Sequence, residues 1–208
     1  MYQKPLFITG IGTDIGKTIV SAVLVHQLKS AYWKPVQAGD LHYTDSDKIR
    51  HLTDNTVNPV YPERYRFQLP ASPHKAAKAE GIKINLQDFA LPQTTNQLLI
   101  EGAGGLFVPL SDSLLMIDLI GHFQADTVLV VRNYLGCINH TLLSIHALTS
   151  KNRPLKHLIF NGDFDEDTHQ IIVHHLPDGC TWSNLPEFKE INYLTIAGAP
   201  IQIPSSIG

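Results

Sequence analysis

Gly10, Gly12 and Gly16 stand among Thr13, Asp14 and Ile15 and are followed at once by Lys17 and Thr18. These are the residue types that bind a polyphosphate. Glycines let successive backbone N–H groups curl around an anion, and a helix opening at Lys17 would aim its N-terminus at the same point. Lys17 has the reach for terminal phosphates, and the Thr18 hydroxyl is a ligand for Mg2+. Ile11 occupies the place where the usual phosphate loop has its first glycine, with Gly10 and Gly12 on either side. The bland alternative is a glycine-rich strand-to-helix turn. An apolar run before the glycines and an apolar helix after Lys17-Thr18 favour nucleotide binding.

A bound Mg2+ needs several oxygen ligands in octahedral geometry. Glu101 closes the apolar run Leu98, Leu99, Ile100 and begins the loop Gly102, Ala103, Gly104, Gly105. A carboxylate there is costly unless it holds a cation. Asp45 and Asp47 lie in a polar segment, residues 40–50, where ordinary surface charge explains them as well as ligation does. Other constellations carry less. Asp163, Asp165 and Asp167 start like a calcium loop, but Thr168 stands where glycine is needed and His174 where glutamate is needed. His169, His174 and His175 have no cysteine partners, and Cys137 with His140 is the spacing of two neighbours on a helix turn. Trp33 and Trp182 read as packing residues.

The elements that would position this chemistry are short apolar runs at residues 6–8, 98–100, 128–131 and 158–160, with 31–33 as a further candidate strand ending at Lys34. Consecutive rather than alternating apolar residues predict strands buried on both faces. Helix-length stretches lie between them, notably residues 17–30 and 139–150. Strands alternating with helices predict an α/β fold with a mostly parallel sheet flanked by helices. In such sheets ligands sit beyond the carboxyl ends of the strands. The phosphate loop, Lys34, Glu101, Arg132-Asn133 and Asn161-Gly162 all follow strands in this way. Residues 58–73 carry Pro59, Pro62, Pro70 and Pro73 and predict an irregular loop.

The 208 residues, 43% hydrophobic and 17% charged, suit one domain, residues 1–208, with a sizeable core. A net charge of −3 offers no general attraction to nucleic acid or anionic lipid. No apolar run approaches the ~20 residues that span a bilayer, and no signal-peptide core is present. Two cysteines make no disulfide framework. A cytoplasmic protein is expected.

Several segments together resemble one family, the ATP-dependent dethiobiotin synthetases of biotin synthesis. They are the phosphate loop from Gly12 to Thr18, Lys34-Pro35-Val36, Pro70-Ala71-Ser72-Pro73-His74, Glu101-Gly102-Ala103-Gly104-Gly105 and Leu135-Gly136-Cys137-Ile138-Asn139-His140. The phosphate loop is shared with many ATPases; the last two segments together are much narrower. The resemblance implies a P-loop NTPase-like fold with a deviant phosphate loop. It also implies a reaction in which 7,8-diaminononanoate, CO2 and ATP give dethiobiotin, ADP and phosphate. Lys17 and Lys34 are the implied catalytic cations. Burial beside other cations is expected to lower the Lys34 pKa. Thr18, Asp47 and Glu101 are the implied Mg2+ ligands. The nucleotide would meet Gly12, Thr13, Asp14, Ile15, Gly16, Lys17, Thr18, Asp47 and Glu101, with Gly102, Ala103 and Gly104. Its adenine would meet Asn161, Pro186, Glu187 and Phe188.

The diamine would meet Thr13, Asp14, Lys34, Ala38 and, from the partner subunit of a homodimer, the loop of Gly136, Cys137, Ile138 and Asn139. Ala38 departs from the hydroxyl residue that many relatives carry, and Gly162 from the common aspartate after Asn161. Two other readings compete. A cobyrinate-type amidase needs a glutamine-hydrolysing domain, for which this chain has no room. A deviant P-loop ATPase switch that positions membranes or chromosomes usually carries an extra lysine in the phosphate loop and, when membrane-active, a basic tail. Neither is found in residues 10–16 or 196–208.

Overall fold

A computed structural model describes residues 3–201; the end of the uncationic segment 196–208 lies outside the described residues. The elements run β1 (Leu6–Gly10), α1 (Lys17–Leu28), β2 (Ala31–Trp33), β3 (Val36–Ala38), α2 (Asp45–Leu52), β4 (Val60–Tyr61), β5 (Tyr65–Phe67), α3 (Pro73–Ala79), β6 (Leu98–Gly105), α4 (Met116–His122), β7 (Asp126–Arg132), α5 (Cys137–Ser150), β8 (Leu155–Asn161), α6 (Glu166–His174), β9 (Thr181–Leu185) and α7 (Tyr193–Ala197). Seven strands form one sheet in the order β4-β2-β6-β1-β7-β8-β9, and β3 with β5 forms a second, two-stranded one. The strand pairings are parallel.

The apolar runs become central strands because alternate side chains feed two separate cores. Leu6, Ile8, Leu99, Val128 and Val130 pack beneath α1, while Phe7, Ile100, Leu129 and Val131 pack on the other face with residues of α4 and α5. Helix α1 is apolar on nearly every side. Val20, Ala22, Val23, Leu24 and Val25 are all fully buried, each contributing about 1.5–3 kcal/mol of transfer free energy for a residue of valine or leucine size. The irregular stretch 58–73 holds two short strands, β4 and β5, that its prolines did not signal. Helix α5 starts at Cys137, two residues before the expected start. Among the described residues, no helix is long and apolar enough to cross a membrane.

One buried titratable group belongs to the sheet and not to the site. His157 in β8 is 0% exposed, and its ring nitrogens lie 2.6 Å from Thr181 Oγ1 and 2.9 Å from Ser183 Oγ in β9. Burial lowers its pKa to about 4. An unfolded histidine titrates near 6.5, so between the two values the unfolded chain binds the extra proton. Stability is therefore complete above pH ~6.5 and falls as the pH drops towards 4, by up to about 3 kcal/mol. Thermal melts at pH 7 and pH 5 are expected to show this loss. His157→Gln should flatten the slope, and an unchanged slope would assign the acid sensitivity elsewhere.

Candidate functional site

The carboxyl ends of β1, β2 and β6 open on one cavity of about 1000 Å3. Thr13, Asp14, Gly16, Lys17, Thr18, Lys34, Ala38, Glu101, Ala103 and Gly104 all line it. The phosphate loop leaves β1 through a turn in which Asp14 (φ 58) and Gly16 (φ 85) adopt left-handed backbone. Gly16 needs that conformation and also close approach. A Cβ there would fall 2.1 Å from Asn161 Nδ2, which donates to Ile15 O at 2.7 Å. Asn161 thus ties the end of β8 to the phosphate loop. Lys17 Nζ donates to Gly12 O at 2.8 Å, folding its ammonium back over the loop. Burial lowers the Lys17 pKa to about 8, against the pull of the Glu101 carboxylate.

Lys34 behaves in the opposite way from expectation. Its Nζ lies 2.6 Å from Asp45 Oδ2 and 3.0 Å from Glu101 Oε1. Burial by itself would lower its pKa, but these two carboxylates outweigh it and hold the pKa well above the usual lysine value. The expectation counted neighbouring cations and overlooked two anions in direct contact. The same contact brings the Asp45 pKa down to about 2, overcoming a burial effect of opposite sign.

Glu101 is 1% exposed and accepts three hydrogen bonds: from Thr18 Oγ1 (2.9 Å) and Lys34 Nζ (3.0 Å) at Oε1, and from Tyr32 Oη (2.9 Å) at Oε2. The carboxylates of Asp45 and Glu101 thus meet at the buried Lys34 ammonium, and the Thr18 hydroxyl joins the cluster through Glu101 Oε1. These oxygens are the donor set of a hard divalent ion.

Asp47 is not part of it. It sits at the third position of α2, where its Oδ2 accepts from Thr44 N (3.0 Å) and Thr44 Oγ1 (2.8 Å), and its Oδ1 pairs with Arg50 (2.8 Å). Thr44 Oγ1 in turn accepts from Asp47 N. This is a reciprocal capping box. The Thr44-x-x-Asp47 spacing was a legible signal that Asp47 is used by the helix end and that the carboxylate two residues earlier faces the cavity. Asp45→Asn is expected to remove most activity. Asp47→Asn should cost about 1 kcal/mol of stability through the cap and leave turnover within a few fold; steady-state rates and melting temperatures of the two variants decide.

Sequence reasoning also gave no role to Ser72 and Pro73, which line the cavity at the start of α3. Pro70, just before them in the chain, packs against the turn at Gly39 (φ 77), where a Cβ would fall 2.5 Å from it.

Other expected site residues lie elsewhere. Gly12 and Ile15 serve the loop through backbone carbonyls that accept from Lys17 and Asn161. Gly102 packs against Phe7, whose ring would lie 2.8 Å from a Cβ. Glu187 pairs with Arg132 and Pro186 borders a neighbouring cavity of about 950 Å3, while Phe188 packs against the α1 side of the core. Gly136, Cys137, Ile138 and Asn139 line no part of the main cavity. They form the turn into α5, with Gly136 at φ 103 and Leu135 fully exposed beside it.

The chain is similar to known proteins in sequence and in fold. A protein-family model for an AAA domain matches residues 4–194. Similar sequences include the ATP-dependent dethiobiotin synthetase BioD of Cytophaga hutchinsonii, 48% identical over 83% of this chain and 84% of that protein. The proteins of the same name from Christiangramia forsetii (46%; 81% of each chain) and Brucella ovis (44%; 81% and 80%) are also similar. Among solved structures, a ParA family ATPase from Chlorobium tepidum matches in fold, with a TM-score of 0.50 at 11% identity, covering 94% of this chain and 96% of that one.

Proposed function

We infer that the chain, which belongs to the ATP-dependent dethiobiotin synthetase family, makes dethiobiotin from 7,8-diaminononanoate, CO2 and ATP in biotin biosynthesis. The observation that carries this reading is the convergence of Lys17, Lys34, Thr18, Asp45 and Glu101 on one cavity. The chemistry requires it. One substrate amine adds to CO2 and loses a proton, giving a carbamate. A carbamate oxygen takes the γ-phosphoryl group and ADP leaves. The second amine then attacks the carbamoyl carbon, phosphate departs, and the five-membered ureido ring closes. Two anions must therefore meet, so fixed cations have to converge on both.

Lys17, at the phosphate loop, holds the phosphoryl group. Lys34, kept charged by its carboxylate partners, faces the carbamate as a cation, and Thr13 and Asp14 border the same space. Mg2+ would be held by Thr18, Asp45 and Glu101 and would neutralise phosphate charge. Because the protein offers it only two carboxylates and a hydroxyl, its binding should depend on nucleotide oxygens. The adenine lies by Asn161 and the segment Pro186, Glu187, Phe188, at the ends of β8 and β9.

The loop Gly136–Asn139 is the proposed site for the substrate's carboxylate. It opens α5, whose first N–H groups have no partner within the helix, and it lies outside the cavity. A homodimer in which each subunit lends this loop to its partner would complete the site. The exposed Leu135 and Leu143 beside it suit burial between subunits. One domain acting in the cytoplasm completes the proposal. Phosphate release should remain at background until both diamine and bicarbonate are added to Mg-ATP. Steady ATP hydrolysis indifferent to the diamine would favour an ATPase switch instead.

A further inference from the structure

Tyr32 is absent from every motif that marks the site, yet it touches its central carboxylate. By the alternation of strands β2 and β6, Tyr32, Lys34, Leu99 and Glu101 all fall on the sheet face beneath α1, where Tyr32 and Leu99 join the buried core. Tyr32 is 0% exposed, and its hydroxyl donates to Glu101 Oε2 at 2.9 Å. The other oxygen, Oε1, faces Thr18 Oγ1 and Lys34 Nζ. The two oxygens of Glu101 are thus sorted, one to the core and one to the cavity.

We propose that Tyr32 is a positioning residue for the metal site: by holding Oε2 it fixes Glu101 so that Oε1 is presented to a divalent cation. The inference rests on the reading of Glu101 as a metal ligand. A carboxylate on a flexible glutamate stem turns readily about its terminal bond, and in a site from which water is excluded an unheld Oε2 takes whichever donor is near. Here those donors are Lys34 and Thr18, the groups that share Oε1. A hydroxyl anchored in the core removes that freedom before any cation arrives. Partners that orient a metal ligand in this way typically contribute 10–100-fold to metal affinity. The ring of Tyr32 fills core space; its hydroxyl sets the ligand. Tyr32→Phe separates the two.

The test titrates Mn2+ by electron paramagnetic resonance in the presence of saturating ADP, for wild type, Tyr32→Phe and Glu101→Gln. Tyr32→Phe is expected to weaken Mn2+ about tenfold, leave metal-free ADP affinity unchanged, and regain turnover at high Mg2+. A purely structural defect would not respond to the metal. Glu101→Gln should weaken Mn2+ further, since it lacks the ligand charge. Wild-type Mn2+ affinity in Tyr32→Phe alongside a weakened Glu101→Gln would overturn the role of Tyr32 and leave the metal site standing. Wild-type affinity in both would remove Glu101 from the metal site and the inference with it. Loss of metal-free ADP affinity in Tyr32→Phe, without recovery at high Mg2+, would reduce Tyr32 to a packing residue.

Discussion

Lys34→Ala should lower turnover by about 10²–10³-fold, the scale of removing one pre-positioned electrostatic group, while nucleotide still binds within a few fold of wild type. Lys34 Nζ bridges Asp45 and Glu101 at 2.6 and 3.0 Å beyond the end of β2, sharing Glu101 Oε1 with Thr18 while Lys17 bonds to the loop backbone. Alanine removes the cation that meets the carbamate, leaving buried Glu101 without a cationic partner and half-buried Asp45 with Lys48 alone, which raises the cost of bringing a further anion into the cavity. Lys17→Ala fails differently. Its ammonium is bound to Gly12 O within the phosphate loop, so its loss should weaken nucleotide binding tenfold or more as well as abolishing turnover. Calorimetric titration with ADP, beside steady-state rates, separates the two variants. An active Lys34→Ala enzyme would take that residue out of the mechanism.

The second large effect is a gain. Lys34→Ala and Asn139→Ala, each inactive alone, are expected to recover about a quarter of wild-type activity when thoroughly remixed. In a two-fold dimer whose sites combine Lys34 of one subunit with Asn139 of the other, a mixed dimer carries both defects in one site and none in the other. Random exchange makes half of the dimers mixed, and half of their sites intact. The geometry motivating this is that residues 136–139 line no part of the cavity containing Lys34. The substrate is a long aliphatic chain with amines at one end and a carboxylate at the other, so it reaches beyond one phosphate site. Asn139→Ala must first be shown to be impaired by itself. If both single variants are dead and remixing restores nothing, each subunit works alone.

The strands that hold the site could be read from sequence because they are buried on both faces. Runs such as Val128 to Val131 need no partner pattern to be recognised; of the residues expected beyond them, the phosphate loop, Lys34, Glu101 and Arg132 line the cavity, while Asn133, Asn161 and Gly162 do not. Strand β9 escaped notice because it is an edge. Thr181, Trp182, Ser183, Asn184 and Leu185 alternate between exposed and buried, with no apolar run. Within the site, Lys17 and Thr18 were legible because they open a helix and Lys34 because it follows a strand, while Glu101 was legible as the charge that ends an apolar run, although β6 continues through it to Gly105. The choice between Asp45 and Asp47 depended on helix phase, which the capping box fixes. The Lys34 charge state was misread for a related reason. Its two anionic partners come from α2 and β6, 11 and 67 residues away in sequence, and only the fold brings them within 3 Å. Tyr32 carries no sequence signal, since a tyrosine in a buried strand reads as core.

The most direct measurement is of the product. With the diamine, Mg-ATP and 13C-bicarbonate, the account predicts dethiobiotin one mass unit heavier than with ordinary bicarbonate, and one ADP formed for each dethiobiotin. ATP consumption with no labelled dethiobiotin, or at the same rate without the diamine, would contradict it.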